Sequence, residues 1–241
     1  FRSSITTVNP ATGEKLAEYV GLDEAGLDEA LQLTADAQKL WRTTEIAHRA
    51  SLLRNVAGIL RDEVEDHARM ISLEMGKPIT EARAEVLKCA VTCDYYADHA
   101  AEFLANKEVK TEAVTSFVAY EPIGVVLAVM PWNFPYWQVI RFAAPALTSG
   151  NGGLLKHASN VTGAALAIQS IFERAGYPKG LFQTLVLTNH SMVNDIIADS
   201  RVAAVTLTGS EGAGAQVAEA AGRALKKTVL ELGGSDPFVI L

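Results

Sequence analysis

The residues that can do chemistry lie in the second half of the chain, several of them in proline- or glycine-rich turns. Asn133 sits in "VMPWNFPYW", bracketed by prolines. Its amide either satisfies its own backbone, as asparagine often does in turns, or points outward as an N–H donor. Glu231, in "LELGGSDP", is followed by two glycines that let a backbone or ligand approach closely. A carboxylate there can cap or form an ion pair; a partly buried one with a raised pKa can take a proton from water. "LLKHASN" offers the Lys156 ammonium and the Ser159 hydroxyl, the first as a solvated charge or a partner for ribose or phosphate, the second as a helix cap or a ligand donor. "TGSEGAG" has Gly209, Gly212 and Gly214. Bare backbone N–H groups at such a turn can cradle a pyrophosphate, although the spacing is not GxGxxG and glycines at turns often serve geometry alone.

The elements around these residues place them at one edge. From Gly124 short apolar runs at 124–130, 152–156, 182–187, 202–207 and 228–231 alternate with helical pattern at 134–149, 160–175, 190–199 and 211–224. Repeated strand and helix units of this kind predict an α/β fold with a parallel sheet covered on both faces. "PWNFP", "KHAS", "TGSEGAG" and "ELGG" then each follow the carboxyl end of a strand, the edge at which open α/β sheets bind ligands.

Ahead of this unit, after the turn-rich "NPATGEK", the pattern is helical from about Asp23 to about Ala105. Ile46, Ala50, Leu53, Ala57, Leu60, Val64, Ala68, Ile71 and Met75 recur at steps of three and four and predict one long helix, ended by "GKP" at 76–78. A second helix is expected from about Thr80 to Ala105. Cys89 and Cys93 lie on one face of it, with His99 further along; a metal site needs more ligands, so packed, reduced cysteines are expected and no metal. "VKTEAVTSFVAYEPIG" reads as one or two strands, either an ordinary hairpin or an arm that pairs with another subunit.

Composition narrows the function. Of 241 residues, 49% are hydrophobic, 21 are basic and 28 acidic, for a net charge of −7, so the chain is expected to fold and nucleic acid is a poor partner. No apolar run approaches the roughly 20 residues that span a bilayer. "FRSSITTVNP" has no apolar signal region. A soluble, cytoplasmic protein without membrane partners is expected.

Taken in order, "EMGKP", "PWNFP", "LLKHASN", "TLTGS" and "LELGGSDP" resemble the aldehyde dehydrogenase superfamily, and most closely its succinate-semialdehyde dehydrogenase branch. The resemblance runs from "NPATGE" onward. It implies a modified Rossmann domain, a doubly wound parallel sheet with an N-terminal helical layer and a projecting β arm. Residues 1–104 and 122–241 would form the cofactor-binding domain and 105–121 an arm for oligomerisation, as homodimer or homotetramer. It further implies that a cysteine thiolate attacks an aldehyde, that Asn133 donates to the oxyanion, and that Glu231 activates water to hydrolyse the thioester left after hydride transfer. Trp132 and Asn133 would lie near the nicotinamide, and Lys156, His157, Ala158 and Ser159 at the adenosine ribose. Gly209 and Ser210 would lie at the pyrophosphate, with Leu232 beside Glu231. Lys156 with a neutral Ser159 tolerates a 2′-phosphate, which favours NADP while leaving NAD possible. Arg141, in "WQVIRFAAP", matches the arginine that meets the substrate carboxylate in succinate-semialdehyde dehydrogenases, a bidentate role set against a surface or ion-paired arginine.

In the resembled family the nucleophilic cysteine follows ELGG, whereas this sequence reaches Leu241 without one; Cys89 and Cys93 precede the cofactor turns. The expectation is a cofactor-binding portion of a longer enzyme, inactive alone. Two alternatives stand beside succinate semialdehyde oxidation: a different aldehyde, with Arg141 structural, or a truncated product that only binds nucleotide or pairs with other subunits.

Overall fold

The computed structural model describes residues 3–240. Strands β1 (Ser4–Val8) and β2 (Lys15–Val20) form an antiparallel hairpin. The turn-rich reading of this region found the connection and missed both strands, since half-exposed strands this short carry little apolar alternation.

Helices α1 (Glu24–Trp41), α2 (Ile46–Asp62), α3 (Val64–Met75) and α4 (Ile79–Phe103) follow. The single helix expected over 46–75 is two. Glu63 leaves helical backbone (φ −109°, ψ 22°). Its carboxylate is bound by Arg174 and lies 3.3 Å from His67 Nε2. The apolar repeat continues through the break because Leu60, Ala68 and Ile71 still enter one core, so periodicity alone does not reveal it. Gly76 ends α3 at φ 78°, a left-handed conformation that glycine adopts without strain. Cys89 and Cys93 are free thiols buried in α4, as expected, and burial raises both pKa values. Two two-residue strands, β3 (Lys107–Glu108) and β4 (Phe117–Val118), pair antiparallel in an exposed hairpin.

The second half is the α/β unit: β5 (Val125–Met130), α5 (Trp137–Thr148), β6 (Gly152–His157), a 3₁₀ turn (Ser159–Val161), α6 (Thr162–Arg174), β7 (Phe182–Thr184), α7 (Met192–Ala198), β8 (Val202–Thr208), α8 (Glu211–Arg223) and β9 (Lys227–Glu231). The sheet order is β7-β6-β5-β8-β9, with every pair parallel. Of the run expected at 182–187 only the first three residues pair as a strand, although Leu185 N–H still reaches Leu155 O at 2.7 Å.

Strand alternation sorts the core. Val125, Leu127, Leu154, Val205 and Leu207 face α1, α7 and α8, while Ala128, Met130 and Leu155 face the layer built by α2 to α6. The sheet is therefore covered on both sides, the doubly wound arrangement expected. The chain runs outward from β5 to β6 and β7, then returns to β8 and β9, so the switch point lies between β5 and β8. A crevice opens there at the carboxyl edge.

Candidate active site

The turn after β5 carries Trp132, Asn133 and Phe134, all exposed. Asn133 is not used by its own backbone: its amide makes no hydrogen bond among the described residues. The turn beneath it is held firmly from three directions. Glu85 of α4 accepts the Tyr136 and Trp137 N–H groups with one oxygen, at 2.9 and 3.0 Å. Its other oxygen pairs with the buried Lys77, whose ammonium lies 3.6 Å from the centre of the Phe134 ring. His157, at the end of β6, points under the turn. Its Nε2 lies 2.9 Å from Pro135 O, and its Nδ1 lies 2.9 Å from Ala158 N and 3.2 Å from Met130 O; the closer carbonyl favours the proton on Nε2. Burial lowers the His157 pKa to about 4, so the ring is neutral. The Tyr136 hydroxyl, also buried, meets His67 Nδ1 at 2.9 Å.

After β8 the Ser210 side chain caps α8, accepting the Ala213 N–H at 3.3 Å. Gly209 N–H bonds to Glu231 O at 3.0 Å, which ties the ends of β8 and β9 together. The three glycines of this turn are not alike. A Cβ on Gly214 would lie 2.5 Å from Leu232 Cδ2, so that glycine makes room for the residue beside Glu231, while Gly212 faces open space.

Trp132, Asn133, Gly209, Ser210, Glu231 and Leu232 line one cleft of about 330 Å³. Lys156, His157, Ala158 and Ser159 are one strand away and do not line it. Lys156 is half-buried, and burial lowers its pKa; it has no hydrogen-bond or ion-pair partner among the described residues. Ser159 is exposed and caps nothing. Capping of α6 falls instead to Glu74 of α3, whose oxygens accept the Gly163 and Ala164 N–H groups at 2.8 and 2.9 Å. His157 differs from its neighbours, because its imidazole is fully engaged under the Asn133 turn and only its backbone can meet a ligand.

Arg141, one turn into α5, lines a second and more apolar cavity of about 620 Å³ with Tyr96, Met130, Trp137 and Phe142. Its guanidinium donates to Thr208 Oγ1 at 3.2 Å and forms an ion pair with Glu231. Of the two readings of Glu231, an ion-paired carboxylate or a partly buried base, the first describes its side chain here, 51% exposed and paired with Arg141, because β9 is an edge strand. Thr208 and Glu231 line both cavities and form the wall between them.

Sequence reasoning missed Lys77, Glu85 and Glu74. The first and last both fall in "EMGKP", which was read as a helix end and a family motif; nothing in the sequence marks these charges as buried.

A family model described as the aldehyde dehydrogenase family matches residues 2–241. The chain is 52% identical over 238 residues to a protein of Synechocystis sp. named as a probable succinate-semialdehyde dehydrogenase for NADP(+), covering 99% of this chain and 52% of that one. It is 49% identical over 237 residues to the Escherichia coli succinate semialdehyde dehydrogenase Sad, named for NAD(P)+, covering 98% and 51%. The crystal structure of succinic semialdehyde dehydrogenase from Streptococcus pyogenes with NADP+ superposes with a TM-score of 0.95 at 41% identity, covering 98% of this chain and 52% of that one. The chain thus spans about half the length of the relatives it matches.

Proposed function

This chain belongs to the aldehyde dehydrogenase family, and we propose on that premise that it is the cofactor-holding part of an NADP-dependent succinate-semialdehyde dehydrogenase. The observation that carries the reading is the shared wall: Glu231 and Thr208 separate the cleft under Asn133 from a larger, more apolar cavity that holds one guanidinium. NADP+ would bind at the first and accept hydride. The second suits a short aldehyde whose far end is a carboxylate.

The residues present fit a dinucleotide. Among the described residues Lys156 is a half-buried ammonium without a partner and the neighbouring Ser159 hydroxyl is uncommitted, so both can meet a phosphorylated ribose. The start of α8 offers N–H groups with no intrahelical acceptor, at the positive end of the helix, beside Gly209 and Ser210. Trp132 and Leu232 give the cleft apolar walls. The relatives named for NADP support this choice over NAD.

Asn133 would then donate its free amide to the oxyanion formed when a thiolate, supplied from outside these residues, attacks the aldehyde carbonyl. A preorganised donor of this kind lowers a barrier by about 3 kcal/mol. Glu231 would accept a proton from the water that cleaves the resulting thioester. Arg141 would orient the substrate through its carboxylate. A second reading draws on the Arg141–Glu231 pair itself: Arg141 orients the base, and the aldehyde carries no carboxylate.

Titration of the chain with NADP+ and NAD+, and assay of the enzyme that carries it with succinate semialdehyde against an uncharged aldehyde of equal length, test the proposal. Failure to bind either nucleotide, or turnover indifferent to the carboxylate, would refute it.

A further inference from the structure

Asn133 has no hydrogen bond of its own among the described residues, so its placement is set by the four residues after it. Those residues are fixed largely by two charges. Lys77 and Glu85 are buried together, their side chains 7% and 1% exposed. A buried ion pair is an expensive way to fill space, and apolar side chains would pack there at least as well. Its geometry indicates a different use. One Glu85 oxygen holds both N–H groups at the start of α5, where the helix end favours a carboxylate. The other holds Lys77, and Lys77 presses on Phe134, the neighbour of Asn133. The pair therefore reaches the turn on both sides of Pro135, whose carbonyl is taken by His157.

We infer that Lys77 and Glu85 are positioning residues for Asn133, fixing the direction of its amide through Phe134 and the start of α5. This rests on the oxyanion role proposed above for Asn133. The pair touches no ligand-facing atom itself; it acts by removing the freedom of the turn. A misplacement of the donor by about 1 Å lowers the rate on the order of 100-fold.

A double-mutant cycle in the enzyme that carries this chain tests it, read by single-turnover hydride transfer and by NADP+ affinity. Asn133→Ala should slow hydride transfer about 100-fold. Lys77→Met should slow it about 30-fold in the parent enzyme and less than about 3-fold in the Asn133→Ala background, with NADP+ affinity changed by less than about 3-fold, because the loss passes through the amide. An equal loss in both backgrounds would mean Lys77 serves stability only and would overturn the inference. If Asn133→Ala has no effect, the oxyanion reading falls first and takes this inference with it. Glu85→Gln repeats the cycle should Lys77→Met fold poorly, since the amide oxygen still accepts both α5 N–H groups while Lys77 loses its counter-charge. Additive losses there overturn the inference equally.

Discussion

Arg141 and Glu231, 90 residues apart in sequence, form an ion pair across the end of the sheet, with Thr208 as a third partner. The arginine comes from α5 and the glutamate from the edge strand β9, so the pair closes the carboxyl edge over β8. An arginine that already holds a carboxylate is a site where a substrate carboxylate must compete or share.

Replacing that arginine separates the two readings. Arg141→Ala in the intact enzyme should raise KM for succinate semialdehyde by a factor on the order of 30, the loss of about 2 kcal/mol expected for a charged hydrogen bond. KM for an uncharged aldehyde should stay within about 3-fold, since that substrate makes no such bond. A matching fall in kcat for both aldehydes would instead assign Arg141 to Glu231 alone.

The nucleotide preference is tested at Lys156 and Ser159. Lys156→Met should weaken NADP+ binding to the chain by about 10-fold or more, the loss of one charge-assisted contact. Ser159→Glu should turn the preference toward NAD+ by placing a negative charge where the 2′-phosphate would lie. Calorimetric titration measures both; an unchanged NADP+ to NAD+ ratio in Ser159→Glu would remove the ribose from this turn.

Acid should destabilise the chain through His157. Its folded pKa is lowered to about 4 by burial, against an unfolded value near 6.5, so only the unfolded state takes up a proton between these limits. Stability is full above the unfolded value and is lost as pH falls toward the folded one. The loss from pH 7 to pH 5 is about 2 kcal/mol. The buried His67, whose pKa is also lowered by desolvation, adds to it in the same direction. Urea unfolding at the two pH values should show this slope, reduced in His157→Gln; an equal slope in the variant would place the titration elsewhere.

Glu74 is the cap of α6. Glu74→Ala leaves the Gly163 and Ala164 N–H groups without their acceptors and should cost about 2 kcal/mol or more. Glu74→Gln keeps one good acceptor and should recover part of that. The carboxyl's pKa is raised, because desolvation outweighs the two backbone hydrogen bonds. Its contribution is therefore largest when it is protonated and declines as pH rises from the unfolded value of about 4.5 toward the folded one. Thermal melts of the three proteins between pH 4 and pH 7 check the order and the trend.

Much of this arrangement was legible in the sequence, for a physical reason. Parallel strands buried on both faces read as apolar runs, and the turns at their carboxyl ends need glycine, proline or asparagine, so "PWNFP", "TGSEGAG" and "ELGG" announce the fold and the edge at which the cleft opens. The supports were not legible in the same way. Glu74, Lys77 and Glu85 look like ordinary helix-surface charges, and only packing reveals that each lies buried against a helix start or a ring far along the chain. The break at Glu63 escaped because a one-residue interruption keeps the same apolar face. His157 shows the converse: it was read with its neighbours as a ligand contact, and packing turns its ring inward.

The layering of α3 and α4 beneath the sheet has a practical consequence for anyone who would transplant the proposed nucleotide site. A segment cut at the start of β5 carries Trp132, Asn133, Arg141, Lys156, Ser159, Gly209, Ser210, Glu231 and Leu232, the groups that the proposed site uses. It leaves behind Glu74, Lys77 and Glu85, the carboxylates and the cation on which the first turns of α5 and α6 rest. A minimal graft must therefore include both helices or supply new acceptors for four backbone N–H groups, those of Tyr136, Trp137, Gly163 and Ala164.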